Sequence, residues 1–448
     1  MGSTRDVIRG LTRGGKPRIL IVGGGYVGMY TALGLQAKLT AGEASVTVVD
    51  PQPQMTYQPF LPEAAAGSIE PRHVVVPLRR VLRRCHVIGG RVTGVDHAHR
   101  CATIENCAGQ VEHHGYDVLV MAPGSIARTL PIPGLAEHGI AVKTIGEAIY
   151  LRNHVLSRLE AAAATNETQL RRKLLGFVVI GGGYAGIEVL GELEDMARYA
   201  CRYYENIEPA DMRWVLVEAT GRIMPEVSSR MGRYTAKRLT ERGIEIFLNT
   251  RVTTMENGHL VLDNGIEFDA DTIVWTAGVK ANPVLQQTDL PLDDRKRLRC
   301  TATLQVVGWP DAFSAGDCAA VPDLTSNDPN ATCSPSAQHA VRQAKVLADN
   351  VIASLRGQPL AHYRHRYAGS VASLGLYRGV AEVYGIRLKG IVAWFMHRTY
   401  HLSRMPTFNR KVRIMADWTT ALLFHREVVA LGQINDPKAE FARANAAS

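Results

Sequence analysis

The chain has 448 residues, 46% hydrophobic and 21% charged, which excludes a disordered, collagenous or disulfide-dense protein and points to two or three domains. Its formal net charge of +9 admits nucleic acid, an anionic membrane surface or neither, so where the charge lies decides more than its size. Seven cysteines without a CxxC pair argue against a zinc ribbon or thioredoxin-type centre and fit a reducing compartment.

Residues 1–17 (MGSTRDVIRGLTRGGKP) are polar and basic with no apolar core, so no signal peptide is expected. No apolar run approaches the ~20 residues of a membrane span, so any membrane contact is expected to be peripheral.

The first β-rich run, Arg18 to Val22 (RILIV), leads into Gly23-Gly24-Gly25-Tyr26-Val27-Gly28 and a helix-like stretch. The next run, SVTVVD, ends at Asp50, followed by Pro51. Strand, GxGxxG, helix, strand and acid in this order predict a dinucleotide fold. Gly23 permits the tight turn, Gly25 lets a pyrophosphate approach the backbone, and Gly28 lets helix and strand pack closely. The helix N-terminus offers free N–H groups to the phosphates, and Asp50 accepts from ribose hydroxyls. Downstream, YDVLVMAPGS is a strand ending in a small turn that contains Ala122 and Gly124.

After a polar stretch over 162–173, the pattern returns. Phe177 to Ile180 leads into Gly181, Gly183 and Gly186, with Tyr184 and Ala185 between, and then a long helix. The following strand, RWVLVE, ends at Glu218; the extra length before it is read as a longer helix and the loop ENIEPADM. An acid there favours a free ribose 2′-hydroxyl, hence NAD over NADP, although Arg222 nearby weakens the preference. Glu188 stands where the first copy has Tyr30. Its plainest reading is an acid complementing the helix dipole; the alternative is contact with a nicotinamide or flavin edge. ADTIVWTAGV, with Ala277 and Gly278, repeats the small turn, and DAFSAGDCAA places Gly316 and Asp317 after a third strand. Two dinucleotide folds in one chain are read most economically as a resident flavin and a visiting nicotinamide.

In SPSAQHAVRQAKVLADNVI, Ser334 is expected to cap a helix with Pro335 as its first residue. Between Arg387 and Arg426 eight Lys/Arg face one acid, Asp417, a local excess of +7. A helical wheel puts Ile391, Val392, Trp394, Phe395, Met396, Leu402 and Met405 on an apolar side and His397, Tyr400, His401 and Arg404 opposite, with Arg398 breaking the apolar side. Ile414, Met415, Trp418, Ala421 and Leu422 form a second stripe. Basic, Trp-containing amphipathic helices of this kind lie in membrane interfaces. A core-packed pair or a dimer interface is the plainer alternative, and the basics lack a nucleic-acid reading motif.

GGGYVG, the APGS turn, GGGYAGIE, WTAGV and SAGD, in that order, resemble the flavoprotein disulfide reductase superfamily over Arg18 to Leu355. The redox cysteine pair of its reductases is absent from PQPQMTYQPFLPEAAAG. TYQPFLPEAAAG and Ala337-Gln338-His339-Ala340-Val341-Arg342-Gln343 are instead similar to type II NADH:quinone oxidoreductases. The resemblance implies an α/β fold of two Rossmann-like domains. An FAD domain would span 17–148 and 278–360, an NAD(H) domain 149–277, and a C-terminal quinone and membrane-interface region 361–448.

By the same resemblance, FAD would be held by Gly23, Gly25, Tyr26, Val27, Gly28, Asp50, Pro51, Ala122, Gly124, Gly316, Asp317, Ala337 and Gln338. NADH would be held by Gly181, Gly183, Tyr184, Ala185, Gly186, Glu188, Glu218, Ala277 and Gly278. Glu188, Gln338 and Gln343 would be catalytic, the glutamines near a menaquinone or ubiquinone headgroup. His339 is a weaker candidate for tuning, and Lys389 for a flavin or lipid-phosphate contact. The implied activity is hydride transfer from NADH to FAD, then two-electron quinone reduction without proton pumping. The implied setting is a homodimer on anionic lipid at the cytoplasmic face of the cell membrane. The rivals are a sulfide:quinone oxidoreductase using Cys318 and Cys333, a soluble NADH:ferredoxin-type reductase, and a non-catalytic redox sensor.

Overall fold

The computed structural model describes residues 15–365, 369–424, 426–430, 438, 439 and 443; most of the N-terminal stretch read for a signal peptide lies outside them. The helices that position the site are α1 (Tyr26–Lys38), α2 (Leu61–Ala65), α3 (Ile145–Ala164), α4 (Tyr184–Ala200), α5 (Ala337–Leu355), α6 (Gly390–Arg404) and α7 (Phe408–Phe424).

The chain divides into two compact units. The first comprises Met1–Thr56, Val76–Ile126 and Val279–Tyr367. Its sheet runs in the order Gln305–Val306, Trp309–Ser314, Val118–Met121, Arg18–Val22, Ser45–Asp50, His86–Asp96, Cys101–Asn106, Val111–Gly115. The middle strands are parallel and the outer pairings antiparallel. Ile19 to Val22 are all buried, as a central parallel strand covered on both faces requires, so RILIV reads as an unbroken apolar run. α1 and α5 pack closely, since a Cβ on Gly34 would lie 2.7 Å from the Ala348 methyl.

The second unit comprises Tyr57–Val75, Ala127–Gly278 and Ala368–Ser448. Its parallel sheet runs Gly139–Ile140, Thr272–Trp275, Gly176–Ile180, Arg213–Val217, Glu245–Phe247. An antiparallel sheet of Gly369–Ser373, Gly379–Val383 and Ile386–Lys389 leads into α6 and α7. This division differs from the sequence boundaries. Gly139–Ile140 pairs with Thr272–Trp275, so the second unit starts well before residue 149. The segment Tyr57–Val75 belongs to it, and so does the C-terminal region, which was expected to stand apart.

The helix start also differs. The cap of α5 is Ser336, whose hydroxyl accepts from the His339 amide at 3.2 Å, so Ser334 and Pro335 precede the helix. Ser336 is two residues nearer the first turn, and only there does the hydroxyl reach the third helical amide.

The wheel of the C-terminal helices needs correction. The wheel's apolar side splits: Trp394 and Met405 turn inward with His397 and Arg398, while Ile391, Val392 and Phe395 face outward. In α7, Ile414 is buried, whereas Phe408, Val412, Met415 and Leu422 are exposed. The physical reason is Arg398. Its guanidinium lies over the Trp394 ring at 4.1 Å and the Trp418 ring at 4.7 Å. Its Nη2 donates to Glu63 Oε2 at 3.0 Å, and Trp418 Nε1 donates to the same oxygen at 2.9 Å. A carboxylate 1% exposed on α2 demands a cation, and α6 must turn Arg398 inward to supply it.

Glu63→Ala strands the Arg398 charge in the interior, so it is expected to destabilise the protein by about 3–5 kcal/mol in urea unfolding, with Glu63→Gln costing less.

Candidate active site

The two glycine loops are built alike. Gly23 N donates to Val49 O at 2.8 Å, and Gly181 N to Val217 O at 2.9 Å. Gly24 N donates to Asp50 Oδ2 at 2.6 Å, and Gly182 N to Glu218 Oε2 at 2.6 Å. The other carboxylate oxygen of each acid accepts from the amide two residues on, Gln52 N at 2.7 Å and Thr220 N at 2.8 Å. Each acid is therefore fixed across its own loop. Burial pushes the Asp50 carboxyl above its usual value, opposed by the Gly24 and Gln52 amides.

The glycines answer to specific crowding. Gly23 has φ +102° and Gly181 φ +110°, which glycine adopts without strain. A Cβ on Gly28 would lie 1.7 Å from Gly23 O, and one on Gly186 1.9 Å from Gly181 O. At Gly25, by contrast, a Cβ would meet nothing within 4 Å, and at Gly183 only Glu226 Oε1 at 3.8 Å. Those open positions are the N-caps of α1 and α4, and neither helix has a side-chain cap. Bare backbone at an uncapped helix start is what a pyrophosphate needs, so both loops fit a dinucleotide.

The small turns stand against the loops. Ala122 N donates to Val22 O, and a Cβ on Gly23 would strike Ala122 O. Thr276 N donates to Ile180 O, and Thr276 Oγ1 holds Ile180 O and Gly181 O at 2.9 and 3.1 Å. Gly124 and Gly278 both have positive φ and open space where a Cβ would be.

Asp317 Oδ2 accepts from Ser125 Oγ at 2.6 Å, joining the third strand's turn to the first small turn. Gln343 is 1% exposed and its Oε1 accepts from Gly316 N at 2.7 Å, so this glutamine fixes the Gly316 turn from the interior. Gln338 is half-buried beside His365, Nε2 to Oε1 at 3.2 Å. His339 Nδ1 lies 2.8 Å from the Tyr363 hydroxyl, and burial holds its imidazole below the ordinary value.

Glu188 is buried in the first turns of α4. Its Oε1 accepts from Ser373 N at 3.0 Å and lies 3.0 Å from His397 Nε2. That side chain therefore meets the C-terminal helix, a partner sequence reading did not foresee. Arg222 is spent on its own loop: it donates to Ser229 Oγ and to the carbonyls of Met224, Pro225 and Val227. The cation that weakened the NAD preference is thus turned away from the acid's mouth. Glu226, beside Gly183, went unread; burial raises its carboxyl, and Glu218 adds to the rise. Its signal in the sequence is only an acid after a Pro in MPEV.

The two thiols named for sulfide chemistry are buried. Cys318 and Cys333 are free, and burial pushes each up to about 11. Burial thus disfavours the thiolate at both positions, which counts against the persulfide chemistry of the first rival.

A family model described as pyridine nucleotide-disulphide oxidoreductase matches residues 17–344. The chain is 28% identical to the type II NADH:quinone oxidoreductase Ndh of Mycobacterium tuberculosis, covering 91% of this chain and 89% of that one. It is 29% identical to the type II NADH:quinone oxidoreductase of Staphylococcus saprophyticus, covering 86% and 94%. Among solved structures, NDH2 of Plasmodium falciparum in complex with NADH superposes with a TM-score of 0.84 at 18% identity, covering 92% of this chain and all of that one. The sulfide:quinone oxidoreductase of Aquifex aeolicus shares the fold with a TM-score of 0.70 at 18% identity, covering 92% and 96%.

Glu218→Gln removes a charged acceptor, worth about 1.5–3 kcal/mol per hydrogen bond, and is expected to weaken NADH binding about tenfold or more in fluorescence titration. Cys318→Ala and Cys333→Ala are expected to keep wild-type NADH oxidation rates.

Proposed function

Because the chain belongs to the pyridine nucleotide-disulphide oxidoreductase family, we propose that it is an FAD-dependent NADH:quinone oxidoreductase that pumps no protons. The observation that carries this reading is the repeated loop. Two open glycine turns, each with a clamped acid, sit in one chain whose first fold lacks a redox cysteine pair. FAD held at the Gly23–Gly28 loop would supply a two-electron centre for hydride chemistry between NADH and a quinone.

The residues bind and orient. Gly23, Gly25, Tyr26, Val27 and Gly28 hold the FAD pyrophosphate, with Asp50 and Pro51 at its ribose. Ala122, Gly124, Gly316, Asp317, Ala337 and Gln338 line the rest of that site. Gly181, Gly183, Tyr184, Ala185 and Gly186 hold NADH, with Ala277 and Gly278 at the following turn. Glu218 accepts from its ribose hydroxyls and repels a 2′-phosphate, which sets NADH over NADPH. Glu188 acts at the nicotinamide. Gln338 acts at the quinone, and Gln343 serves it by holding the Gly316 turn.

The C-terminal helices supply a membrane face. No helix of the described residues is long and apolar enough to cross a membrane. Phe395 is 63% exposed and Phe408 80% exposed, and both belong to outward apolar rows on α6 and α7. Apolar rows of this kind bury into the headgroup boundary. Of the eight basics in the region, Arg398 and Arg426 are withdrawn into buried pairs with Glu63 and Glu192. Lys389 lies over the Tyr234 ring at 4.3 Å, and Arg387 pairs with Glu382. The remaining cations add about 1 kcal/mol each toward anionic lipid when near its surface. The proposal is therefore a homodimer held peripherally at the cytoplasmic face of the cell membrane, reducing menaquinone or ubiquinone there.

In stopped flow, the bound flavin is expected to bleach on NADH addition and recover on adding a quinone; no recovery with either quinone refutes the acceptor. The protein is expected to float with vesicles containing anionic lipid. Phe395→Asp with Phe408→Asp is expected to lower that binding tenfold or more while NADH bleaching continues.

A further inference from the structure

The two glycine loops differ at one place. In the first loop a Cβ on Gly25 would meet nothing within 4 Å, whereas in the second a Cβ on Gly183 would lie 3.8 Å from Glu226 Oε1. Gly183 is the uncapped start of α4, where free backbone N–H groups suit a pyrophosphate. A second carboxylate therefore stands at the phosphate cradle of one loop and not of the other. It is distinct from the ribose acid, since Glu218 is held by the amides of Gly182 and Thr220.

The backbone keeps Glu226 in that place. Met224 is fully buried and has φ +49°, a left-handed conformation that residues with a Cβ seldom adopt. Its amide donates to Gly182 O at 2.7 Å, and Ile223 Cγ2 would lie 2.9 Å from a Cβ on Gly182. Pro225 follows, with φ set by its ring. Arg222 donates to the carbonyls of Met224, Pro225 and Val227 and so braces the turn. A strained residue persists only where its surroundings over-determine it, and such positions cluster at ligand sites. What this turn presents to the open side of the loop is Glu226, an exposed residue.

We propose that Glu226 is a release residue, a fixed negative charge that weakens the second loop's hold on the nucleotide pyrophosphate and speeds NAD⁺ departure. The inference rests on the reading of the Gly181–Gly186 loop as the NADH site. A resident flavin is served by a bare cradle. A nicotinamide nucleotide must leave once per turnover, and tight product binding limits the rate. Among the described residues the cation acting on Glu226 is Arg222, whose donors are turned to the carbonyls of its own loop. Lost hydration raises the Glu226 carboxyl above its usual value, its own amide and Arg222 oppose the rise, and Glu218 adds to it. A phosphate brought to Gly183 adds one more negative charge to this pair of acids.

The test titrates the full-length flavoprotein with ADP-ribose, which carries the pyrophosphate and no nicotinamide, by calorimetry. It compares wild type with Glu226→Gln, Glu226→Ser and Glu226→Asp. At low salt, Glu226→Gln and Glu226→Ser are expected to bind about threefold or more tighter, and Glu226→Asp, which keeps the charge, to stay within about twofold of wild type. At about 1 M salt, where the Debye length is about 3 Å, the gap between wild type and Glu226→Gln is expected to shrink. In stopped flow, NAD⁺ is expected to leave Glu226→Gln about threefold or more slowly while the flavin still bleaches. Equal affinity in wild type and Glu226→Gln makes the acid a bystander and overturns the proposal. Weaker binding in Glu226→Gln makes it a ligand of the nucleotide and overturns it too, as does a tightening that 1 M salt leaves unchanged. If Glu226→Gln fails to fold, equal affinity in Glu226→Asp and Glu226→Ser overturns it in the same way. Failure of wild type to bind either ADP-ribose or NADH refutes the nucleotide reading of the loop instead, and with it the site this residue would act on.

Discussion

Buried carboxylates govern the second unit. Glu63, Glu188 and Glu192 are each nearly inaccessible, and each is answered from the C-terminal region, by Arg398, His397 and Arg426. A carboxylate without a cation in such surroundings is costly enough to change protonation or reject the packing. The C-terminal helices are therefore not an appendage resting on the nucleotide fold. Their inward face is chosen by charge, and the apolar residues that remain are turned out by default. The outward apolar rows of α6 and α7 follow from that one electrostatic requirement.

The two loops show the opposite economy. Most of what fixes them is set by spacing along one βαβ stretch: a glycine at positive φ, a helix starting three residues on, and an acid at the end of the next strand, with the small turns of Ala122 and Thr276 closing from farther along the chain. The loop's own amides hold Asp50 and Glu218 before any ligand arrives. An acceptor locked in this way spends little ordering entropy on binding, which preorganised sites exploit.

This contrast explains what was legible. The loops, their strands and the small turns with Ala122 and Ala277 could be read because spacing along the chain dictates them. The resemblance placed the chain in its family, and the family match over 17–344 bears that out. The α6 face could not be read, since the residue that decides it, Glu63, lies 335 positions from Arg398. A wheel treats arginine as a defect in an apolar stripe; two tryptophans and a buried acid make it the anchor. Likewise Gln343 looked like a ligand-facing side chain because a motif named it, yet the Gly316 amide claims its oxygen. Arg222 weakened the preference for NAD because of its position, yet carbonyls of its own loop surround it. Sequence gives residue type and spacing, whereas a side chain's role depends on which unpaired groups the fold brings within reach.

The outward rows on α6 and α7 have one more consequence. A folded unit with Arg398 and Arg426 drawn inside and phenylalanines and leucines left in water has the amphiphilic character of a surfactant. Such a molecule partitions to whatever apolar phase is offered, whether detergent micelle, air–water surface or bilayer, because each relieves the same exposed area. On the peripheral reading proposed above, residence on a surface would be an adsorption equilibrium, set by the ratio of lipid to protein and reversed by dilution, where a spanning helix would be committed for good.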